Sequence, residues 1–117
     1  MTACGDENGT YYPESDEMKN NLENSGYTVV VTTDFDGKKC TYLSATKGSD
    51  YIYFYWIESD VDCEYFYNYL EESCADYNSL VQIENDKEFG NIVYCGTKKA
   101  VDSAGIRVVN VKVDVKI

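Results

Sequence analysis

Nine of the 17 aromatic side chains stand in one stretch, Asp50-Tyr-Ile-Tyr-Phe-Tyr-Trp-Ile57, which runs directly into Glu58-Ser-Asp-Val-Asp-Cys-Glu-Tyr-Phe-Tyr-Asn-Tyr-Leu70. The first part is β-branched and aromatic throughout, so it predicts a central strand. Side chains alternate between the two faces of a strand, which places Ile52, Phe54 and Trp56 on one face. We expect this face to lie beneath helices, and the phenols of the opposite face to meet water. Those phenols are Tyr51, Tyr53 and Tyr55.

The second part of the stretch has the period of a helix. Ser59 is a suitable N-cap, and acidic residues follow in the first turn, where the helix dipole favours them. At about 100° per residue, the apolar side chains form one stripe, which we expect to be buried. Two phenols, Tyr65 and Tyr69, stand four residues apart on the outer side. The stripe consists of Cys63, Phe66, Tyr67, Leu70, Cys74 and Tyr77.

Turn signals divide the rest of the chain into short elements. A polar helix is predicted before Gly26, and strands over residues 27–35 and 40–46 flank Asp36-Gly37, a dipeptide typical of two-residue hairpins. After the long helix come a second hairpin, a short helix and a final alternating strand. The order α-β-β-β-α-β-β-α-β favours an α+β fold, a mainly antiparallel sheet of five to six strands with helices on one face.

Length and charge limit the domain organisation and the partners. A chain of 117 residues is sufficient for one domain with a real core. We expect a polar N-terminal tether over residues 1–13 and a single α+β domain over residues 14–117. The net charge of −11 repels phosphate backbones and anionic headgroups. Nucleic acid is therefore not an expected partner, and membrane contact is expected only through a lipid anchor.

The N-terminus carries a short motif, Met1-Thr2-Ala3-Cys4-Gly5, in which an apolar residue and two small residues precede a cysteine and a glycine. It resembles the lipobox of bacterial lipoproteins, a family that usually has Leu where Met1 stands. The resemblance implies that Cys4 is lipidated and that the protein lies in the cell envelope, anchored on the extracytoplasmic side. The alternative is that Met1 is a plain start codon, which implies a cytoplasmic location.

Four further cysteines follow Cys4. Cys63 and Cys74 stand eleven residues apart on one predicted helix, about 16 Å along its axis, so they cannot pair with each other. Two interpretations stay open: disulfides tie this helix to Cys40 and Cys95 on strands, or the helical cysteines are small buried thiols. The chain has no histidine and no CxxC pair, so we expect no metal site.

The sequence contains no recognisable catalytic motif. Without histidine there is no Ser-His or Cys-His pair and no imidazole general base. The phosphate-binding and dinucleotide-binding glycine motifs and GxSxG are also absent from the sequence. Two carboxylates in a cleft suffice for a hydrolase, but the spacing singles out no pair. We therefore expect no enzymatic activity and no cofactor.

Tyrosine is the distinctive residue type, with 12 Tyr against four Phe and one Trp. Phenols combine a large contact area with a hydrogen-bonding tip, which is why binding surfaces use them. The candidate ligand or partner surface therefore comprises Tyr51, Tyr53, Tyr55, Tyr65 and Tyr69. The alternative is that the strand tyrosines only pair across the sheet and bind nothing.

Two functions from different classes are compatible with these patterns. The first is a non-enzymatic extracytoplasmic binding or interaction module of a small bacterial lipoprotein, whose partner at the cell surface is a protein, peptide or glycan. The second is a cytosolic structural or regulatory domain that acts as a dimer or subunit. The first uses an exposed tyrosine patch, whereas the second buries the same patch against another copy.

Overall fold

The computed structural model describes residues 8–73, 80–86 and 89–110. A 3₁₀ turn, Asp60–Asp62, precedes the second helix. In chain order the helices and strands are β1 (Asn8–Tyr11), α1 (Ser15–Asn24), β2 (Thr28–Phe35), β3 (Lys38–Lys47), β4 (Asp50–Ile57), α2 (Cys63–Ser73), β5 (Val81–Asp86), β6 (Gly90–Gly96), α3 (Lys98–Ser103) and β7 (Arg107–Asn110).

Five of these strands form one antiparallel sheet in the order β2-β3-β4-β6-β5. The aromatic strand β4 lies at its centre, between β3 and β6. Strands β1 and β7 pair with each other in a separate two-stranded ribbon. The predicted α+β class and the mainly antiparallel sheet are confirmed.

In the β2–β3 hairpin, the local sequence sets the register in which the two strands pair. Phe35 pairs with Lys38, so Asp36 and Gly37 alone make the loop. Both have positive φ angles, 55° and 77°, as the primed turns of two-residue hairpins require. The hairpin predicted from Asp-Gly is therefore confirmed. A β-bulge just before it, where Asp34 has a φ of 63°, was not predicted.

Both faces of the sheet are buried against helices. On one face, Phe54 lies in a core with Met18 of α1 and Ala100 of α3. On the other face, Tyr55 lies in a core with Phe66 of α2. This placement differs from the predicted one, in which all helices share one face and the three β4 tyrosines meet water. The physical reason is that β4 carries large apolar groups on both faces, so each face needs cover from a helix.

Residues 8–13 form part of the folded domain, although residues 1–13 were predicted to be a polar tether. Asn8–Tyr11 form β1, and the next two residues, Tyr12 and Pro13, are buried. The ring of Tyr12 lies 6.2 Å from that of Phe54 in the core. Residues 1–7, which include Cys4, lie outside the described residues. The described domain thus includes six residues that the prediction had assigned to the tether, 8–13.

The long helix starts later than predicted. Ser59 caps the 3₁₀ turn instead of α2, and its side chain makes no capping hydrogen bond. Three residues of the predicted stripe are buried on α2, namely Cys63, Phe66 and Leu70. Cys74 and Tyr77, the last two members of the stripe, lie outside the described residues.

Candidate functional site

A small pocket opens on the sheet face that α2 covers. It has a volume of about 180 Å³. Phenols from two strands and a helix converge on it, because β3 and β4 are neighbours in the sheet and α2 packs across them. We call it the tyrosine pocket, and its walls are Tyr42 of β3, Tyr53 and Tyr55 of β4, and Tyr69, Leu70 and Ser73 of α2.

The inner wall of the tyrosine pocket is a stacked pair of rings. Tyr42 and Tyr55 are directly paired across β3 and β4, and their ring centroids lie 4.5 Å apart. Phe35 supports this wall, with ring centroids 5.2 Å from Tyr69 and 5.8 Å from Tyr55. Burial raises the pKa of Tyr42 and of Tyr55, so both phenols stay neutral and keep their hydroxyl protons.

Tyr51 and Tyr53 lie side by side toward the other end of β4. Their ring centroids are 5.0 Å apart, and both side chains are half-buried. The backbone of Tyr51 bonds with Thr97, whose N–H donates to the Tyr51 carbonyl over 2.9 Å. Of the three predicted strand phenols, Tyr53 and the fully buried Tyr55 line the pocket, and Tyr51 lies beside it.

The two helix phenols of the predicted surface lie in different environments. Tyr69 lines the tyrosine pocket and is 41% exposed. Tyr65 instead donates its hydroxyl proton to the Asp36 carboxylate of the hairpin loop, and Lys38 Nζ lies 4.4 Å from its ring centre. The hydrogen bond to Asp36 raises the pKa of Tyr65. Tyr65 thus attaches α2 to the β2–β3 hairpin and takes no part in lining the pocket.

The sequence-based prediction missed a second concave surface, a groove of about 430 Å³ lined by Trp56 and Phe89 among other residues. Trp56 was predicted to lie beneath helices with Phe54, but its side chain is only half-buried. The reason is that α3 begins beside Tyr51, at the opposite end of β4. The feature of the sequence that could have indicated this exposure is the position of Trp56, one residue before the end of its strand.

Two carboxylates, Asp34 and Glu58, line this Trp56 groove together with Lys39. Both acidic side chains are exposed to water. The groove therefore offers polar contacts beside an aromatic wall.

The cysteines fall into two groups. Cys40 and Cys63 are buried in the core beneath α2 and are not disulfide-bonded, and burial raises the pKa of Cys40. The predicted buried thiol is therefore confirmed for Cys63. Cys95, in the same core, is disulfide-bonded, and its partner is not among the described residues.

The chain matches no protein-family model, no curated protein and no solved structure. Within residues 8–73, 80–86 and 89–110, no helix has both the length and the apolar composition needed to cross a membrane. In the same part of the chain, no three acidic or cysteine side chains gather as metal ligands do. The tyrosine pocket brings together three of the five predicted surface phenols, Tyr53, Tyr55 and Tyr69.

Proposed function

We propose that this chain is a non-enzymatic binding module of the cell envelope, anchored on the extracytoplasmic side through Cys4. Its partner is a protein, peptide or glycan at the cell surface, and the contact is made at the tyrosine pocket. The observation that carries the proposal is the convergence of four phenols from β3, β4 and α2 around one opening. Three of them, Tyr53, Tyr55 and Tyr69, belong to the surface predicted from the sequence.

The size of the pocket limits what it accepts. Sites for drug-sized ligands occupy roughly 300–1,000 Å³, whereas the tyrosine pocket has about 180 Å³. This volume suits one side chain of a partner or one sugar ring. Stacked aromatic walls and neutral hydroxyl groups favour a group with an apolar body and a polar edge. The remaining contact is expected outside the pocket, where Tyr69 and Tyr53 keep exposed surface.

Two features support the extracytoplasmic location. The disulfide at Cys95 is typical of proteins from oxidising compartments. The lipobox-like Met1–Gly5 segment supplies a modifiable cysteine at the start of the chain. The cytosolic alternative, a domain that acts as a dimer or subunit, would instead bury the tyrosine patch against another copy.

Binding is tested with a peptide display library and a glycan array, each probed with the purified chain and its variants. We expect Tyr69→Ser and Tyr53→Ser to lose the selected ligands while their thermal unfolding stays cooperative. Tyr67→Ser is the matched control, because Tyr67 is a half-buried phenol of the same helix that does not line the pocket. Ligands that bind all three variants equally would place the binding site elsewhere.

Location is tested by the intact mass of the mature protein from its own cells, together with detergent-phase partitioning. A product that starts at Cys4 and carries a diacylglyceryl group is the expected result. A product that starts at Met1 or Thr2 and stays in the aqueous phase would contradict the envelope location and support the cytosolic alternative.

A further inference from the structure

Within the described part of the chain, strand β2 is an edge of the five-stranded sheet and pairs with β3 alone. Seven of its eight residues have a partner on β3, and the eighth, Asp34, lies at the bulge. Among the described backbone hydrogen bonds outside the ladders, none involves residues 28–35. The outer side of β2 therefore presents a row of N–H and C=O groups to solvent, which is a template for another strand.

Most of this edge lacks the usual features that prevent strand addition, which are confined to its last residues, where Asp34 and a bulge lie. Residues 28–33, Thr-Val-Val-Val-Thr-Thr, contain no charge and no proline. Val30 and Val31 are 56% and 37% exposed, and they point to opposite faces of the sheet. The bulge lies beyond them, between Thr33 and Phe35. The opposite edge strand, β5, has two acidic residues in its sequence and a bulge of its own.

We propose that two copies of this chain associate through β2, edge to edge and antiparallel. Two five-stranded sheets then join into one continuous sheet of ten strands. A two-fold axis through Val30 and perpendicular to the sheet sets Val30 of one copy against Val30 of the other. It also pairs Val29 of one copy with Val31 of the other. Valine side chains on the same face of the sheet therefore lie opposite each other.

The negative net charge of the chain makes the uncharged β2 edge the favoured place for contact between two copies. Each chain carries a net charge of −11, so two copies repel each other over most approaches. The uncharged segment 28–33 is a place where they meet without opposing carboxylates on the paired strands. Salt shortens the Debye length from about 10 Å at 0.1 M to about 3 Å at 1 M. Added salt is therefore expected to strengthen this dimer, whereas it weakens interfaces held by ion pairs.

The dimer goes beyond the proposed binding function. The axis is perpendicular to the sheet, so the two tyrosine pockets lie on the same face of the joined sheet. Two pockets on one face allow bivalent attachment to a repetitive partner, with a gain in avidity and no new contact. The association itself does not depend on the pocket, and its test needs no ligand.

The test is sedimentation velocity of the full chain over a concentration series at low and high salt. We expect a concentration-dependent dimer that salt strengthens, and its loss in Val30→Lys, which puts a charge at the axis. Val61→Lys is the matched control, because Val61 is an exposed valine, 80% accessible, that lies on the 3₁₀ turn and not on β2. A wild type that stays monomeric throughout, or a Val30→Lys variant that still dimerises, would overturn the proposal.

A cysteine variant tests the same contact without a lysine, which could lower the dimer population by disturbing the fold. Cα atoms of directly paired residues are about 4.5–5.5 Å apart, which is within disulfide range. With dioxygen as oxidant, two Val30→Cys copies each lose one electron and one proton, and a bond forms between their sulfur atoms. We expect a crosslinked dimer on a non-reducing gel for Val30→Cys and none for Val61→Cys. Absence of the Val30→Cys crosslink would contradict the axis at Val30.

Discussion

Tyr42 and Tyr55 lie directly opposite each other on β3 and β4, with their ring planes 19° from parallel. The two phenols are buried to different extents. Tyr55 has the largest of the fully buried side chains in the described part of the chain, whereas Tyr42 is half-buried. Tyr55 therefore contributes mainly to the stability of the fold, and Tyr42 forms a wall that a ligand can reach.

Truncation of Tyr55 is expected to destabilise the protein strongly. Tyr55→Ala removes a buried ring that also contacts Phe66, and comparable aromatic truncations lower the free energy of unfolding by about 3–5 kcal/mol. Tyr55→Phe keeps the ring and is expected to lose far less. Urea unfolding followed by circular dichroism measures both. Tyr69→Ala is the control, and a loss for Tyr55→Ala no larger than for this exposed residue would contradict the core role.

Stability is expected to fall as the pH rises above about 10. Tyr94 lies on β6 with its ring stacked on Phe54. Burial raises the pKa of Tyr42, Tyr55 and Tyr94 above the ordinary value of 10.0, so the folded state retains protons that the unfolded chain releases. The stability from these groups is complete below pH 10 and is lost as the pH rises through their folded-state pKa values. Urea midpoints measured from neutral to alkaline pH test this. Tyr55→Phe should show a shallower decline, and an equal slope would contradict the assignment.

The disulfide at Cys95 is expected to contribute to stability. Removal of a native disulfide typically costs about 2–4 kcal/mol, so a reducing agent should lower the free energy of unfolding by that order. Cys95→Ser should behave like the reduced protein and be insensitive to the reductant. Cys63→Ser, which changes a buried cysteine that is not disulfide-bonded, should retain sensitivity to the reductant. Equal responses of all three proteins would contradict a structural disulfide at Cys95.

Gly96 is expected to tolerate no larger side chain. A Cβ atom at this position would lie 2.7 Å from the carbonyl oxygen of Tyr51, which belongs to the backbone and cannot turn away. Gly96→Ala should therefore lower the free energy of unfolding by about 1–3 kcal/mol, the usual cost of overpacking. Thermal unfolding by calorimetry measures the effect. Ala104→Gly, which removes a buried methyl group, is the comparison variant. Its loss in the free energy of unfolding comes from a cavity, whereas the loss for Gly96→Ala comes from a clash.

Part of the candidate site followed from the sequence, and part did not. Tyr53 and Tyr69 were predicted as surface phenols, and both line the pocket. Tyr42 was missed because its strand is ordinary in composition and only its pairing with Tyr55 places it in the wall. Tyr65 was assigned to the surface on helical spacing, which contains no information about the hairpin loop that binds it.

The sequence by itself determined the elements whose cause is local. Alternating apolar and polar residues predict the strands, Asp36-Gly37 predicts the two-residue hairpin, and the apolar stripe of α2 predicts its buried face. Each of these features depends on neighbours within a few residues. Only the tertiary structure decided that α2 covers the tyrosine face of β4 while α1 and α3 cover the other. That choice depends on how much apolar area each face must bury, a property of the whole packed chain rather than of any one stretch.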